Sequence, residues 1–356
     1  MINFQAPFNL TSIGQSGYNI FKEITKMTDV CLFPINGIGL ECFELKDSDI
    51  EIIKNSLRYS KEYYNRNNPT LKYFHIRGSE DSVGRNPSLF TYHETNRLTN
   101  YEKNILSQQD KVFVSNRYTQ SVFLDHNIQS IYAPLGFDSE SFFEIEKRED
   151  EKEVLTFGLK GKLEQRKNTI RVIKAWVKVF GGDPRYRLDC SIHNAFMSNE
   201  EQSSMIINSL PDKRLPWNVN ILPYSSTNSE YNLVLNNTDI ELTGMSGGEG
   251  FNLPLFQSLC LGKQAIVLNA HAHKDYCNSS NSILIEPNGM VDAVDDRFFI
   301  EGEDINQGEW HDFKDSDLID AMLVAAKTGR KYNHEGVKLK SWTYENTAKI
   351  ILENLA

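Results

Sequence analysis

The chain has 356 residues, 40% of them hydrophobic and 24% charged, with a formal net charge of −10. That length suits two domains of ordinary size, the composition excludes fibrous and largely disordered classes, and the charge excludes a surface built throughout for polyanions. Apolar runs such as Val30–Pro34 and Ala265–Leu268 are far shorter than the roughly 20 residues that cross a bilayer, so no spanning helix is expected.

The N-terminal stretch MINFQAPFNLTSIGQ lacks the basic start and continuous apolar run of a secretory signal. Five scattered cysteines (Cys31, Cys42, Cys190, Cys260, Cys277) form no CxxC pair and read as buried thiols of a protein in a reducing cytoplasm, soluble or peripheral to a membrane. Short runs rich in Val, Ile, Leu and aromatics then alternate with amphipathic segments, the pattern of parallel sheets with crossover helices. In the first half strands are expected at DVCLFP, LKYFHI, SLFTYH, KVFVS and SIYAPL, with helices at DIEIIKNSLRYSKEYY and RLTNYEKNILSQ. Between Lys54 and Arg117 eleven Lys and Arg stand against six Asp and Glu, interleaved with tyrosines. A solvated helical face is the plain reading of that run. The sharper one is a surface for an anionic acceptor: a phospholipid headgroup, a phosphorylated glycan or DNA.

The charged segment Ser139–Glu153 reads as a linker, so residues 1–142 and 153–335 are expected as two Rossmann-like α/β domains, with 336–356 a final helix whose apolar positions at helical spacing could pack on either half. The second series has strands at EVLTFG, YRLDCSI, NVNILP, DIELT, QAIVLN and SILIE, and helices at NTIRVIKAWVKVF and SEYNLVLNN. The two DSD triplets, Asp47–Asp49 and Asp315–Asp317, each run into an apolar-periodic helix, so they read as helix starts and no metal site is expected.

The stretch GMSGGEGFNLPLFQ follows the strand DIELT and opens a helix near Leu253, with Pro254 in its first turn. Ligands of open parallel sheets sit at the carboxyl ends of strands, where helix starts bind anions through free N–H groups. Glycines at 244, 247, 248 and 250 would leave such amides open to phosphate oxygens. A carboxylate at Glu249 would repel phosphate, so its expected partners are the neutral hydroxyls of a sugar. Gln257, about two helical turns further along the same face, can bond more of them. Lys162 and Lys167 in FGLKGKLEQRKNT provide two cations for the charge released when a sugar–diphosphate bond breaks, and Arg166 is read as their surface neighbour.

The run EGFNLPLFQSLCLGKQAIVLN resembles the donor-site signature EGFGLPxxE of family 4 retaining glycosyltransferases, which have the GT-B fold of two facing Rossmann-like domains. Here Asn252 replaces the usual Gly, Gln257 the second Glu, and Gln264 a common Pro. The segment from Phe157 resembles the strand, GRLxxxKG and helix of that family, with Lys162 in the arginine position and Lys167 in the lysine position. APFNLTSIGQSGYNIFKEI resembles its N-terminal glycine loop, and APLGFDSESF the PxGVDxxxF marker that ends the first domain.

The resemblance implies that Glu249 bonds the transferred sugar, that Gly250, Phe251, Asn252 and Leu253 meet sugar and diphosphate, and that Gln257 meets the ribose. It implies that Gly14 and Gly17 border the phosphates across the cleft, and that His93 lies beside the sugar. Glu94 and Arg77, the latter in the loop IRGSEDSVGRNPS, are acceptor-side candidates. The implied activity is retaining transfer from a nucleoside diphosphate sugar, of UDP or GDP type, to a hydroxyl acceptor, with no cofactor and no metal. A glycan or lipid-linked glycan is the expected acceptor. Two alternatives are a modified base of viral DNA as acceptor and a non-catalytic sugar-nucleotide-binding scaffold.

Overall fold

The computed structural model describes residues 1–146 and 153–355, so part of the expected linker, 147–152, lies outside the described residues. The first half runs β1 (Ile2–Phe8), α1 (Ser12–Thr25), β2 (Val30–Ile38), α2 (Asp47–Glu62), β3 (Thr70–Tyr73), β4 (Pro87–Thr91), α3 (Asn100–Ser107), β5 (Lys111–Val114), α4 (Arg117–Asp125) and β6 (Ile131–Tyr132). These strands form one parallel sheet in the order β2-β1-β3-β4-β5-β6. The alternation pattern marks five of the six. It misses β1, where Asn3, Gln5 and Pro7 interrupt the apolar run. Asn3 is nevertheless fully buried, because its amide donates to the Asn65 carbonyl oxygen at 3.0 Å and to Thr70 Oγ1 at 3.1 Å. Pro34 sits in β2, an edge strand of this sheet, where its missing N–H removes no interior ladder bond.

The second half begins with β7 (Leu155–Lys160), α5 (Thr169–Phe180), β8 (Tyr186–Ser191), α6 (Asn199–Ser209), β9 (Val219–Ile221) and α7 (Asn228–Asn237). It continues with β10 (Ile240–Gly244), α8 (Leu253–Cys260), β11 (Gln264–Leu268) and β12 (Ile283–Ile285). The sheet order β12-β11-β10-β7-β8-β9 reverses direction between β7 and β10. Loops after these two strands leave toward opposite faces, and the crevice between them is where such sheets place ligands. A small antiparallel pair, β13 (Met290–Asp292) and β14 (Glu309–His311), is absent from the expected elements. It and the loop it encloses dock on the first half. Thr95 Oγ1 donates to the Gln307 carbonyl oxygen at 2.9 Å, Asn96 Nδ2 to Glu309 Oε2 at 2.9 Å, and the Asn306 amide to Glu102 Oε1 at 3.0 Å.

Helices α9 (Asp315–Thr328), α10 (His334–Val337) and α11 (Tyr344–Leu355) end the chain. The last of these lies against the first half: Tyr344, Ala348 and Ile351 join its core, and Thr347 Oγ1 donates to the Pro134 carbonyl oxygen at 2.6 Å. Asp49 accepts from the Lys46 amide at 3.1 Å, so the first DSD triplet does cap its helix. All five cysteines are buried free thiols. Lys72, in the basic run, is also buried and pairs with Asp81 at 2.6 Å.

Candidate active site

The loops after β7 and β10, the two strands at the sheet reversal, carry Lys162–Asn168 and Met245–Asn252. They are tied together by their backbones: the Gly247 amide donates to the Arg166 carbonyl oxygen at 2.8 Å. Beneath them Lys160 and Glu241 form an ion pair with both side chains fully buried, and Ser258 of α8 donates to the same Glu241 carboxylate at 2.7 Å. One carboxylate thus fixes the end of β7, the middle of β10 and α8 relative to each other.

Asn252 has φ +71°, in the left-handed region where glycine is favoured and asparagine tolerated. This explains how Asn stands where a Gly is usual. Its side chain also works: Oδ1 accepts from the Leu255 amide at 3.4 Å, and Nδ2 donates to the Thr243 carbonyl oxygen at 3.1 Å. Among the described residues the amides of Phe251, Asn252 and Leu253 meet no acceptor, so the start of α8 keeps its positive end open.

Two of the glycines before it make room for the first half of the chain. A Cβ at Gly248 would lie 2.1 Å from the Glu94 carbonyl oxygen, and one at Gly250 2.7 Å from the Tyr92 ring. The Gly250 carbonyl oxygen accepts from Ser115 Oγ and Asn116 Nδ2, both at 2.6 Å. The glycine loop is therefore where the first half seats on the second.

Glu249, 5% exposed, receives Lys167 Nζ at 2.5 Å and Arg166 Nη1 at 3.2 Å. Burial alone would raise its carboxyl pKa, but the Lys167 and Arg166 charges outweigh it and hold the group well below the usual carboxylate range. Arg166 is not the surface residue expected: its side chain is 7% exposed, and it also meets Glu164 at 3.1 Å and Glu94 at 3.2 Å and donates to the Gly248 carbonyl oxygen. No motif marks it. Its charge is shared by three carboxylates, two of which also meet a lysine: Glu249 pairs with Lys167 and Glu164 with Lys162. Burial raises the Glu94 carboxyl pKa, with Arg166 opposing.

Other expected residues divide. Gln257 lines a cleft between the halves, together with Gly161, His193, Tyr224–Asn228 and Pro254 from the second half and Leu10, Ser12 and Gln15 from the first. Gly14 and Gly17 are packing glycines: a Cβ at Gly14 would lie 2.3 Å from Asn9 Oδ1, and one at Gly17 3.2 Å from the Pro7 carbonyl oxygen and from Tyr73. His93 is buried, its Nε2 2.9 Å from both the Arg97 carbonyl oxygen and Thr95 Oγ1, and burial lowers its pKa. Lys162 is not brought to Glu249. It turns to the rings of Phe196 and Phe298, 5.4 and 5.2 Å from their centroids, and meets Glu164 at 3.4 Å. Arg77 is exposed on the turn after β3.

No family model and no curated protein matches the sequence. Solved structures do. Sucrose-phosphate synthase from Thermosynechococcus elongatus superposes with a TM-score of 0.67 at 12% identity, over 99% of this chain and 97% of that one. HepE from Anabaena in complex with UDP gives a TM-score of 0.67 at 12% identity, over 99% and 98%. A glycosyltransferase from Rickettsia africae gives 0.64 at 12% identity, over 99% and 97%. Two six-stranded parallel sheets facing each other across a cleft, shared with these proteins over nearly the whole chain, give this protein the GT-B fold.

Proposed function

We propose that the protein is a glycosyltransferase that moves a sugar from a nucleoside diphosphate sugar to a hydroxyl acceptor, with retention at the anomeric carbon. The observation that carries this reading is the Lys167–Glu249 pair beside the open amides of Phe251–Leu253, at the reversal of the second sheet. In the proposed complex the nucleoside lies in the cleft along Gln257 and Tyr224, and the diphosphate meets the start of α8. Lys167 supplies positive charge as the diphosphate departs, and Glu249, kept ionised by its two cations, accepts hydrogen bonds from sugar hydroxyls. The leaving diphosphate takes the proton of the acceptor hydroxyl on the same face of the sugar. No carboxylate nucleophile and no metal enters the scheme. The solved complexes of HepE with UDP and with UDP-glucose support a uridine donor.

Thermal shifts with UDP, GDP, ADP and dTDP sugars test donor binding, since a ligand above its dissociation constant raises the unfolding temperature. Release of nucleoside diphosphate then separates enzyme from scaffold. The reading expects release; binding without release by any donor, with or without acceptors, supports the scaffold instead.

A further inference from the structure

A second cavity lies where α1 and the segment after β6 meet the start of α7, and Asn228 borders both it and the donor cleft. Four carboxylates line it, Glu44, Asp49, Asp138 and Glu140, against two lysines, Lys22 and Lys46. The lysines are already engaged. Lys22 Nζ lies 2.9 Å from Glu140 and 3.6 Å from Asp49, and Lys46 Nζ lies 3.3 Å from Glu140. Asp138 and Glu44 meet only neutral donors among the described residues. Asp138 Oδ1 accepts from the Glu140 and Ser141 amides, both at 3.1 Å, its Oδ2 lies 3.4 Å from Asn19 Nδ2, and Glu44 accepts from the Ser229 hydroxyl of α7. These contacts hold both carboxylates in place and leave their charge without a counter-ion, so the lining carries two more negative charges than positive ones.

Tyr18 supplies an independent polar group. The residue is 3% exposed, with its ring edge-on to Phe8 and Phe43 at centroid distances of 5.9 and 4.5 Å. It lines the cavity, yet its hydroxyl meets no hydrogen-bond partner among the described residues. A polar group so deeply buried ordinarily has a partner, and the cavity is where one can approach. Phe143, at the same cavity and 53% exposed, offers a ring face that attracts cations. No group of three or more His, Cys, Asp or Glu side chains is placed among the described residues to hold a metal ion. Carboxylates set round a cavity with aromatic walls instead suit ammonium groups, each with three donors, joined by an apolar spacer that covers the rings.

We propose that this cavity binds a small aliphatic diamine, with Asp138 and Glu44 as its counter-charges and the Tyr18 hydroxyl as a further acceptor. The site is distinct from the donor cleft and stands whether or not the protein transfers a sugar. Its walls come from both halves, tied by Asn228 Nδ2 donating to Ser141 Oγ at 3.1 Å and by the Ser229–Glu44 hydrogen bond.

The test is calorimetric titration of the full chain with 1,4-diaminobutane, butylamine and magnesium chloride at fixed ionic strength. Saturable binding of diaminobutane is expected, about tenfold tighter than that of butylamine, the worth of one charge-assisted hydrogen bond. Asp138→Asn and Glu44→Gln keep an acceptor for the backbone amides and for Ser229 while removing the charge. Each should weaken diaminobutane binding about tenfold with an unchanged unfolding temperature. Tyr18→Phe removes no charge, so a loss of about fivefold there separates this cavity from a general attraction of cations to a chain of net charge −10. Equal affinity for the two amines, absence of saturable binding, displacement of diaminobutane by equimolar magnesium, or variants that bind like the wild type would overturn the proposal.

Discussion

Arg166 Nη1 lies 3.2 Å from Glu94 Oε1, an ion pair that joins the second half of the chain to the first. The same guanidinium touches Glu164 and Glu249, so one buried cation holds the donor-side carboxylate and the neighbouring half together. Removing a buried partner leaves uncompensated charge, which costs far more than the intact pair contributes.

Arg166→Met is therefore expected to destabilise the protein by about 3–5 kcal/mol, measured by urea unfolding. Lys162→Met, at a half-exposed side chain, should change stability by less than about 1 kcal/mol. Equal losses in the two variants would contradict the assignment of Arg166 as the organising charge.

Gly248→Ala places a methyl 2.1 Å from the Glu94 carbonyl oxygen, with main chain on both sides of the contact. Neither side can swing away as a flexible side chain would, so the halves must part locally. A loss of about 1–3 kcal/mol is expected, as for other overpacked sites. An unfolding temperature equal to that of the wild type would show that the close approach is not maintained in solution.

Stability should also fall on mild acidification, because of His273. The ring is fully buried, and burial, opposed by the Glu249 charge, lowers its pKa from 6.5 to about 4. The unfolded chain binds a proton that the folded chain resists, so this contribution is complete above pH 6.5 and is lost as pH falls toward 4. The loss is on the order of 3 kcal/mol. Glu249 and Glu164, whose pKa values are depressed, add to the loss only below about pH 4. His273→Gln should make the stability curve shallower between 6.5 and 4, with His271 and His93, whose pKa values burial also lowers, keeping the remaining slope. A curve unchanged by the substitution would remove His273 as the cause.

The sheets were legible because each strand is a short apolar run bounded by polar helices, and eleven of twelve main-sheet strands stand out that way. β1 escaped because polar residues interrupt its apolar run, and the side-chain amide of the buried Asn3 bonds Asn65 and Thr70, partners more than sixty residues away that no local pattern announces. Glu249 and Lys167 stand in two short motifs, each compressed into a few consecutive positions, and the structure pairs them at 2.5 Å, while Gln257 lies on α8 and lines the cleft. The side chain of Lys162 lies by Phe196 and Phe298, and neither ring belongs to the motif, so its position could not be read from the motif alone. Arg166 looked like a surface residue beside Lys167, for its three carboxylates come from three separate stretches. The glycines at 14 and 17 show the converse: a spacing that suggests phosphate binding also serves a helix packed tightly on β1.

The most direct test of the central claim is release of nucleoside diphosphate from the donor identified by thermal shift, compared among wild type, Lys167→Ala and Glu249→Ala. The account predicts release by the wild type, a loss of about 100- to 1,000-fold in each variant, and unchanged unfolding cooperativity in both. Near-normal release by both variants would contradict it.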